Sequence, residues 1–312
     1  MTAVADLRPY LFAIAYRMLG TVGEAEDVVQ EALLRVHSAD DVREPKAFGA
    51  TVTTRLALDQ LRSARVRRER YVGTWLPEPL LAGSGGFGWG DGTDPADTVE
   101  LRESLATAFL VVLETLTPLE RAVFVLHDLF DFPYAEVAGI LDRSEASCRQ
   151  LGSRARRHVA ERRPRYAPPA ARREELVSRF LAAVEAGDVA GLQRMLAEDV
   201  VFAGDGGGRA PALREPMSGA LRVARFLATL GRQAAARSIT VEAAEVNGGG
   251  GLVARDPAGA VLDVLSLEID PDTALVVAIH SVLNPEKLRH LGPAADLTAL
   301  MADRADADRA DG

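Results

Sequence analysis

Apolar residues recur at helical spacing through most of residues 1–70. In the clearest stretch, from Ala25 to Val36, apolar residues fall at i, i+3, i+4, i+7, i+8 and i+11. This spacing predicts an amphipathic helix with one buried face. Gly20 marks the end of a preceding helix, and Pro45 opens a third helical stretch. We therefore predict an all-α module in residues 1–70.

Residues 71–100 interrupt the helical pattern because they are rich in Gly and Pro, which predicts a linker. Helical patterning returns over residues 101–166, and its last part, residues 132–159, predicts a helix–turn–helix. The second helix of that pair has a predicted buried face made of Cys148, Leu151, Ala155 and Val159.

Residues 172–291 have a different character, with two helices followed by strand-like runs and the turn sequences DPAG (256–259) and DPDT (270–273). A further predicted helix, 218–231, interrupts the strands, and four glycines at 248–251 predict a flexible turn. The pattern predicts an α+β domain with a curved antiparallel sheet. Residues 292–312 form an acidic tail.

Composition limits the class of protein. A chain of 312 residues is long enough for two or three domains, and 48% apolar with 26% charged residues is typical of globular proteins. Cys148 is the single cysteine, which excludes an intramolecular disulfide and a thiolate metal cluster. With no long apolar run and no basic, apolar leader, we expect a cytoplasmic protein without a membrane segment. We expect no metal and no cofactor.

The net charge of −9 conceals two local clusters of arginine. One lies between Arg62 and Arg70 and the other between Arg149 and Arg165. Because nucleic-acid binding depends on local patches, these clusters keep DNA as a candidate partner.

Two charged helical faces each allow two interpretations. Glu24, Asp27 and Glu31 share one face, which is either a solvated surface or a docking surface for a basic partner. Arg55, Asp59 and Arg62 fall at i, i+4 and i+7 on another helix, which is either a solvated basic helix or a phosphate-binding face.

The helix–turn–helix carries the more specific pattern. Opposite its buried face, the second helix presents side chains that hydrogen-bond bases and phosphates: Arg149, Gln150, Ser153 and Arg157. This pattern predicts a recognition helix for the major groove of DNA. The alternative is a plain helical hairpin.

The sequence YLFAIAYRMLGTVGEAEDVVQEALLRV resembles region 2 of bacterial sigma factors of the extracytoplasmic-function (ECF) type, and LTPLERAVFVLHDLFDFPYAEVAGILDRSEASCRQLGSRARRHV resembles their region 4. The resemblance implies that residues 1–70 bind core RNA polymerase and the −10 promoter element, and that residues 101–166 bind the −35 element. The β′ clamp and the β flap of the polymerase are the implied protein partners. The implied polymerase-binding residues are Glu24, Asp27, Gln30 and Glu31. The implied −10 residues are Arg55, Asp59, Arg62, Arg65, Arg67 and Arg68, and the implied −35 residues are Glu145, Arg149, Gln150, Ser153, Arg154 and Arg157.

Three short motifs, WLPEP (75–79), DGGGRA (205–210) and NPEKL (284–288), are similar to those of an ECF subgroup with a fused SnoaL-like domain. This resemblance implies a cone-shaped α+β fold, related to nuclear transport factor 2, over residues 172–291. It also implies that this domain regulates the sigma part, although the linker after Pro79 is unusually rich in Gly. DGGGRA is either a loose hairpin tip or a contact loop against the sigma part, in which Arg209 offers a bidentate cation. The implied regulatory residues are Trp75, Leu76, Pro77, Glu78, Pro79, Asp205, Gly206, Gly207, Gly208, Arg209, Asn284 and Pro285.

The sequence thus predicts an alternative sigma factor that is not an enzyme and is monomeric when free, with a small-molecule ligand as a further candidate partner. One alternative is a SnoaL-like enzyme or ligand sensor fused to a DNA-binding module, for which Asp205, Asp263 and His280 are the candidate polar groups. Another is a dimeric helix–turn–helix repressor, which needs no acidic docking face.

Overall fold

The computed structural model describes residues 7–39, 42–68, 71–82, 104–162, 170–295 and 297–298; for residues 64–68 and for Arg162 it describes the backbone alone. The described chain forms two compact units. The first contains residues 7–68, 104–105 and 109–162, and the second contains residues 71–82, 106–108 and those from 170 onward.

The first unit is helical, as the sequence predicts. Its first half contains α1 (Arg8–Leu19), α2 (Val22–Ser38) and α3 (Pro45–Arg68). Its second half contains α4 (Thr107–Leu113, shared with the second unit), α5 (Pro118–Val123), a π-helix (Phe124–Leu129), α6 (Tyr134–Leu141) and α7 (Glu145–Arg162).

Two buried guanidinium groups join α1 to the second half of this unit. The fully buried Arg17 donates from Nε to Ser104 Oγ at 2.7 Å. Arg121, which is 2% exposed, donates from Nε to the carbonyl oxygen of Arg17 at 2.8 Å and forms an ion pair with Glu114. Burial lowers the pKa of Arg121 to about 9. These polar contacts fix how α1 and α5 pack together.

The second unit combines four helices with a six-stranded sheet. The helices are α8 (Ala170–Glu185), α9 (Val189–Met195), α10 (Ala220–Ala236) and α11 (Pro285–Leu288). The strands are β1 (Leu196–Asp205), β2 (Met217–Ser218), β3 (Thr240–Val246), β4 (Gly249–Arg255), β5 (Val261–Ile269) and β6 (Val276–Val282).

The strand order is β2-β1-β6-β5-β4-β3, and the pair β1–β6 is parallel while the others are antiparallel. The prediction of a purely antiparallel sheet is therefore wrong at one pair. The physical reason is that α10, which follows β2, carries the chain to β3 at the opposite edge of the sheet. The antiparallel strands β3 to β6 then return across the sheet and place β6 beside β1 in the same direction. The prediction of a turn over residues 248–251 is also wrong in part, because the last three of these glycines pair with β5 or β3 inside β4.

One face of the sheet carries the core of this unit. Phe180 and Leu227 project from the helices onto Phe202, Leu267 and Ile279 of the strands, and all five side chains are buried. Residues that alternate with these positions, such as Asp205 and His280, therefore lie on the opposite face of the sheet.

Candidate functional site

Helix α2 presents the predicted acidic face to solvent. Asp27, Gln30 and Glu31 are exposed, and Glu31 accepts a hydrogen bond from Arg35 Nε at 2.7 Å. Glu24 is half-buried and accepts a bond from the Thr21 hydroxyl at 2.7 Å, so it lies at the margin of this face. Leu34, which sequence reasoning missed, lies one turn beyond Gln30 and Glu31.

Leu34 is an exposed apolar residue on this charged face. Its side chain is 56% exposed, although the residue belongs to a helix whose other side is fully buried. Single exposed apolar side chains are common on protein surfaces, so Leu34 adds an apolar group to this face but does not by itself identify an interface.

The predicted −10 residues of α3 are only partly described. Arg62 forms an exposed ion pair with Asp59 at 3.0 Å. Arg55 donates from Nε to the carbonyl oxygen of Ile140 at 2.8 Å and from a second nitrogen to that of Gly139 at 3.1 Å. These carbonyls belong to the last turn of α6, where a cation is favoured by the helix dipole. The side chains of Arg65, Arg67 and Arg68 lie outside the described part of the chain.

Helix α7 has the two-sided character that its sequence predicts. Cys148, Leu151, Ala155 and Val159 are buried. The opposite side exposes Arg149, Gln150, Ser153 and Arg157.

Two of the predicted −35 residues of α7 already have acidic partners. Arg149 forms an ion pair with Glu145 one turn earlier. Arg154 lies 3.2 Å from a carboxylate oxygen of Glu120, the residue that completes the capping box of α5 with Thr117. Both arginines keep more than half of their side-chain surface in solvent, so these pairs are weak and leave the guanidinium groups accessible.

The three short motifs meet around the carboxylate of Asp205, which is fully buried at the end of β1. Lys287 Nζ lies 2.7 Å from Oδ2, and the backbone N–H of Leu76 donates to the same oxygen at 2.8 Å. The hydroxyl of Tyr71 donates to Oδ1 at 2.5 Å. We call the set Tyr71, Trp75, Leu76, Asp205, Asn284 and Lys287 the linker clamp.

Trp75 and Asn284, the remaining members of the linker clamp, contact the groups that bind Asp205. The ammonium of Lys287 lies 4.1 Å from the ring centroid of Trp75, and the Asn284 side chain donates to the hydroxyl of Tyr71 at 2.9 Å. Burial and the Asp205 carboxylate raise the pKa of Tyr71 above its ordinary value, so the phenol remains a donor at neutral pH.

The glycines of DGGGRA allow the linker to approach this closely. Gly207 has a φ of +58°, and a Cβ atom there would lie 2.2 Å from the Asn284 amide nitrogen and 2.9 Å from the Tyr71 hydroxyl. The loop therefore packs on Tyr71 and Asn284 of its own unit, and a contact with the sigma part stays a prediction. Arg209 forms an exposed ion pair at 2.8 Å with Glu286.

A second contact fixes the linker to the edge of the sheet. Leu81 forms an antiparallel bridge with Val246 at the end of β3, and Leu80 exchanges hydrogen bonds with Asn247. The carbonyl of Pro79 lies 2.7 Å from His290 Nε2. Trp75 therefore belongs to a segment, residues 71–82, that is packed along this unit.

The three candidate catalytic groups lie in separate places. Asp205 is part of the linker clamp, whereas Asp263 lies on the helix-facing side of the sheet and His280 on the other side. Ser281 Oγ lies 3.0 Å from both carboxylate oxygens of Asp263. Burial lowers the pKa of His280 to about 4. The structure does not assemble these groups into one site.

Asp263 predicts a specific pH dependence of stability. Burial raises its pKa to about 7, against about 3.9 in an unfolded chain. The folded state then binds the proton more tightly, so this residue's contribution to stability falls as the pH rises from about 4 to about 7. Asp263→Asn keeps the polar contact with Ser281 and removes the titration. Between pH 5 and pH 8, we expect the wild-type free energy of unfolding to fall by roughly 2 kcal/mol relative to this variant.

Urea unfolding at the two pH values measures this difference. Burial also raises the pKa of Glu268 to about 7, but Glu268 is present in both proteins and cancels in the comparison. Asp272→Asn, at an exposed turn position, is the control and should follow the wild type. If the free energies of unfolding of Asp263→Asn and wild type differed by the same amount at both pH values, the raised pKa of Asp263 would be contradicted.

The described residues contain no cluster of three or more side chains that could hold a metal ion. Within the same segments, every helix is too short or too polar to span a lipid bilayer.

Comparison with known proteins assigns the family. Residues 3–67 match Sigma-70 region 2, residues 106–159 match Sigma-70 region 4 and residues 177–263 match the SnoaL-like domain. The ECF RNA polymerase sigma factor SigJ of Mycobacterium tuberculosis is 47% identical over 223 residues, which cover 71% of this chain and 70% of that protein. The sigma factor SigG of the same organism is 32% identical over 221 residues, covering 64% of this chain and 60% of its own.

The similarity extends to the whole architecture. The crystal structure of Mycobacterium tuberculosis SigJ aligns with a TM-score of 0.71 and 37% identity, covering 91% of this chain and 96% of that one. In this chain the two sigma modules precede a SnoaL-like domain. The chain therefore belongs to the ECF RNA polymerase sigma factors, which are transcription initiation factors and not enzymes.

Proposed function

We propose that the exposed face of α2 docks on the coiled-coil clamp of the β′ subunit of core RNA polymerase. Asp27, Gln30 and Glu31 supply polar contacts, Glu24 lies at the margin, and Leu34 supplies apolar contact. Support comes from the exposure of these side chains on one helical face, with an apolar residue among them. The protein acts in the cytoplasm on this proposal, and it is a monomer before it meets the polymerase.

We assign promoter recognition to two helices. Helix α7 enters the major groove of the −35 element and α3 contacts the −10 element, while the region that contains α7 also contacts the β flap. The observation that carries this assignment is the exposure of hydrogen-bonding side chains on α7 directly opposite its buried face. The proposed −35 set is Glu145, Arg149, Gln150, Ser153, Arg154 and Arg157, and the proposed −10 set is Arg55, Asp59, Arg62, Arg65, Arg67 and Arg68.

Arg55 adds a conformational requirement to this assignment. Its guanidinium is committed to two carbonyl oxygens of α6, which belongs to the −35 module. On our proposal these bonds break before Arg55 contacts DNA, so α3 and α6 separate when the promoter is bound.

We further propose that the SnoaL-like domain regulates initiation by holding the linker between the two promoter-binding modules. The linker clamp and the bridge to β3 support this role, since they fix residues 71–82 on that domain. The spacing of the two promoter elements demands a defined separation of the modules. A domain that holds or releases the linker can therefore control which separations are accessible. The proposed regulatory residues are Trp75, Leu76, Pro77, Glu78, Pro79, Asp205, Gly206, Gly207, Gly208, Arg209, Asn284 and Pro285.

A small-molecule ligand of this domain is a second element of the proposal. The polar pair Asp263 and Ser281, which lies on the helix-facing side of the sheet near the buried Leu265 and Ile279, supports it. Such a pair can orient a largely apolar molecule.

Run-off transcription with core RNA polymerase tests the proposed function. We expect the double variant Asp27→Ala/Glu31→Ala to bind core polymerase about ten-fold more weakly and to lose run-off product in proportion, because two exposed charges leave the docking face. Fluorescence anisotropy of the labelled protein against core enzyme measures the affinity.

The matched control is Glu174→Ala/Glu198→Ala, which removes the same charge from exposed positions of the second unit. Its affinity should equal that of the wild type. Equal affinity of all three proteins would contradict docking through α2. A chain that binds operator DNA as a dimer, and gives no product with core enzyme, would favour the repressor alternative.

A further inference from the structure

Tyr134, the first residue of α6, lies directly on α7. A Cβ atom at Gly152 would be 2.6 Å from the Tyr134 hydroxyl oxygen, so the absence of a side chain at position 152 creates the space that the phenol occupies. Sequence analysis singled out neither residue, because an aromatic residue and a glycine 18 positions apart form no motif.

The phenol is fixed at its hydroxyl and on its ring. Arg156 donates to the hydroxyl oxygen at 3.0 Å and also to Asp128 Oδ1 at 3.0 Å. The ring centroid of His127 lies 3.8 Å from that of Tyr134. Both His127 and Asp128 belong to the π-helix, a rare geometry that is frequent at functional sites.

The same ring supports a residue of the proposed DNA-binding face. The guanidinium carbon of Arg149 lies 5.1 Å from the Tyr134 ring centroid, within the range of a cation–π contact. Glu145 forms an ion pair with a terminal nitrogen of the same guanidinium. Arg149 is therefore oriented before any DNA arrives, by an aromatic plane and by a carboxylate one turn earlier.

We propose that Tyr134 is a positioning residue for promoter recognition, whose ring sets the orientation in which the Arg149 guanidinium meets a base edge of the −35 element. The inference rests on the proposed −35 role of α7. Arginine discriminates guanine from other bases by aligning two donors with two acceptors, which requires a defined plane. Without the ring, Arg149 can still reach a phosphate, which preserves affinity but carries no sequence information.

The test measures base preference rather than overall activity. Full-length chain and core polymerase are assayed by run-off transcription on promoters in which each −35 base is replaced in turn. Arg149→Ala identifies the base that Arg149 contacts, where wild type should prefer its own base by roughly ten-fold or more. We expect Tyr134→Leu to lose most of that preference at that base and to keep the preferences elsewhere. Tyr134→Phe, which keeps the ring, should keep it.

A double variant separates positioning from a general structural role. Arg149→Ala/Tyr134→Leu should lose no more preference at this base than Arg149→Ala alone, because Tyr134 acts through Arg149. Equal loss at every base, or a preference retained by Tyr134→Leu, would overturn the proposal. Gly152→Ala, which displaces the phenol, provides an independent variant in case Tyr134→Leu folds poorly, and it should lose preference at the same base.

A result with Arg149→Ala distinguishes this inference from the proposed function. If that variant keeps every base preference while the wild type still initiates, the −35 role of Arg149 and the positioning role of Tyr134 both fail. The docking role of α2 is then unaffected.

Discussion

Asp205→Ala should lower the free energy of unfolding of the SnoaL-like domain by about 3–5 kcal/mol, because it removes the counter-charge of the buried Lys287. The Leu76 N–H and the Tyr71 hydroxyl lose their acceptor at the same time. Urea unfolding measures the loss of stability. Limited proteolysis with chymotrypsin should cut at Tyr71 and Trp75 faster in the variant than in the wild type, since the linker loses its main anchor.

Two further variants serve as a control and as a rescue for Asp205→Ala. Asp272→Ala removes an exposed carboxylate of the same domain and should change stability by less than about 0.5 kcal/mol. Asp205→Leu/Lys287→Met replaces the buried pair by apolar side chains and should recover much of the stability lost by Asp205→Ala. If Asp205→Ala unfolded with the same urea midpoint as the wild type, the linker clamp would not stabilise the domain.

Arg121→Ala should lower the free energy of unfolding of the helical unit by about 3 kcal/mol. The variant leaves a cavity where a guanidinium is 2% exposed, and it deprives the Arg17 carbonyl and the Glu114 carboxylate of their donor. Chemical denaturation followed by circular dichroism measures the effect.

The comparison for Arg121 is Arg35→Ala, which removes an exposed i, i+4 partner of Glu31 and should cost less than about 0.5 kcal/mol. A loss for Arg121→Ala no larger than that for Arg35→Ala would mean that water replaces the buried contacts without penalty.

Local periodicity was sufficient to predict the helices that carry the candidate sites. The apolar spacing of α2 and α7 predicts which of their side chains are buried, and the exposed faces with Asp27 and Arg149 follow from it. Contacts between distant segments have no such signal. The two carbonyls that bind Arg55 belong to residues 84 and 85 positions away, and backbone carbonyls leave no trace in a sequence.

Of the linker clamp, resemblance and not pattern singled out Trp75, Leu76, Asp205 and Asn284, whereas Tyr71 and Lys287 were not among the implied regulatory residues. Its central ion pair joins Asp205 to Lys287 across 82 positions, and nothing local to either residue indicates the partner. The parallel pairing of β1 with β6 was missed for a related reason. Turn sequences predict neighbouring strands of a hairpin, whereas this pair is set by the path of the chain through α10.

The pairing of Leu81 with the end of β3 has a consequence for any fragment of this protein. Strand β3 is one of the two edge strands of the sheet, and part of its open side is occupied by the linker. A fragment that begins after the helical unit lacks residues 71–82 and exposes that edge, together with the acidic end of β1. Bare sheet edges recruit strands from other molecules. The described residues of this unit therefore come from three separate stretches of sequence, and expression of residues 170–295 alone should give a protein prone to self-association.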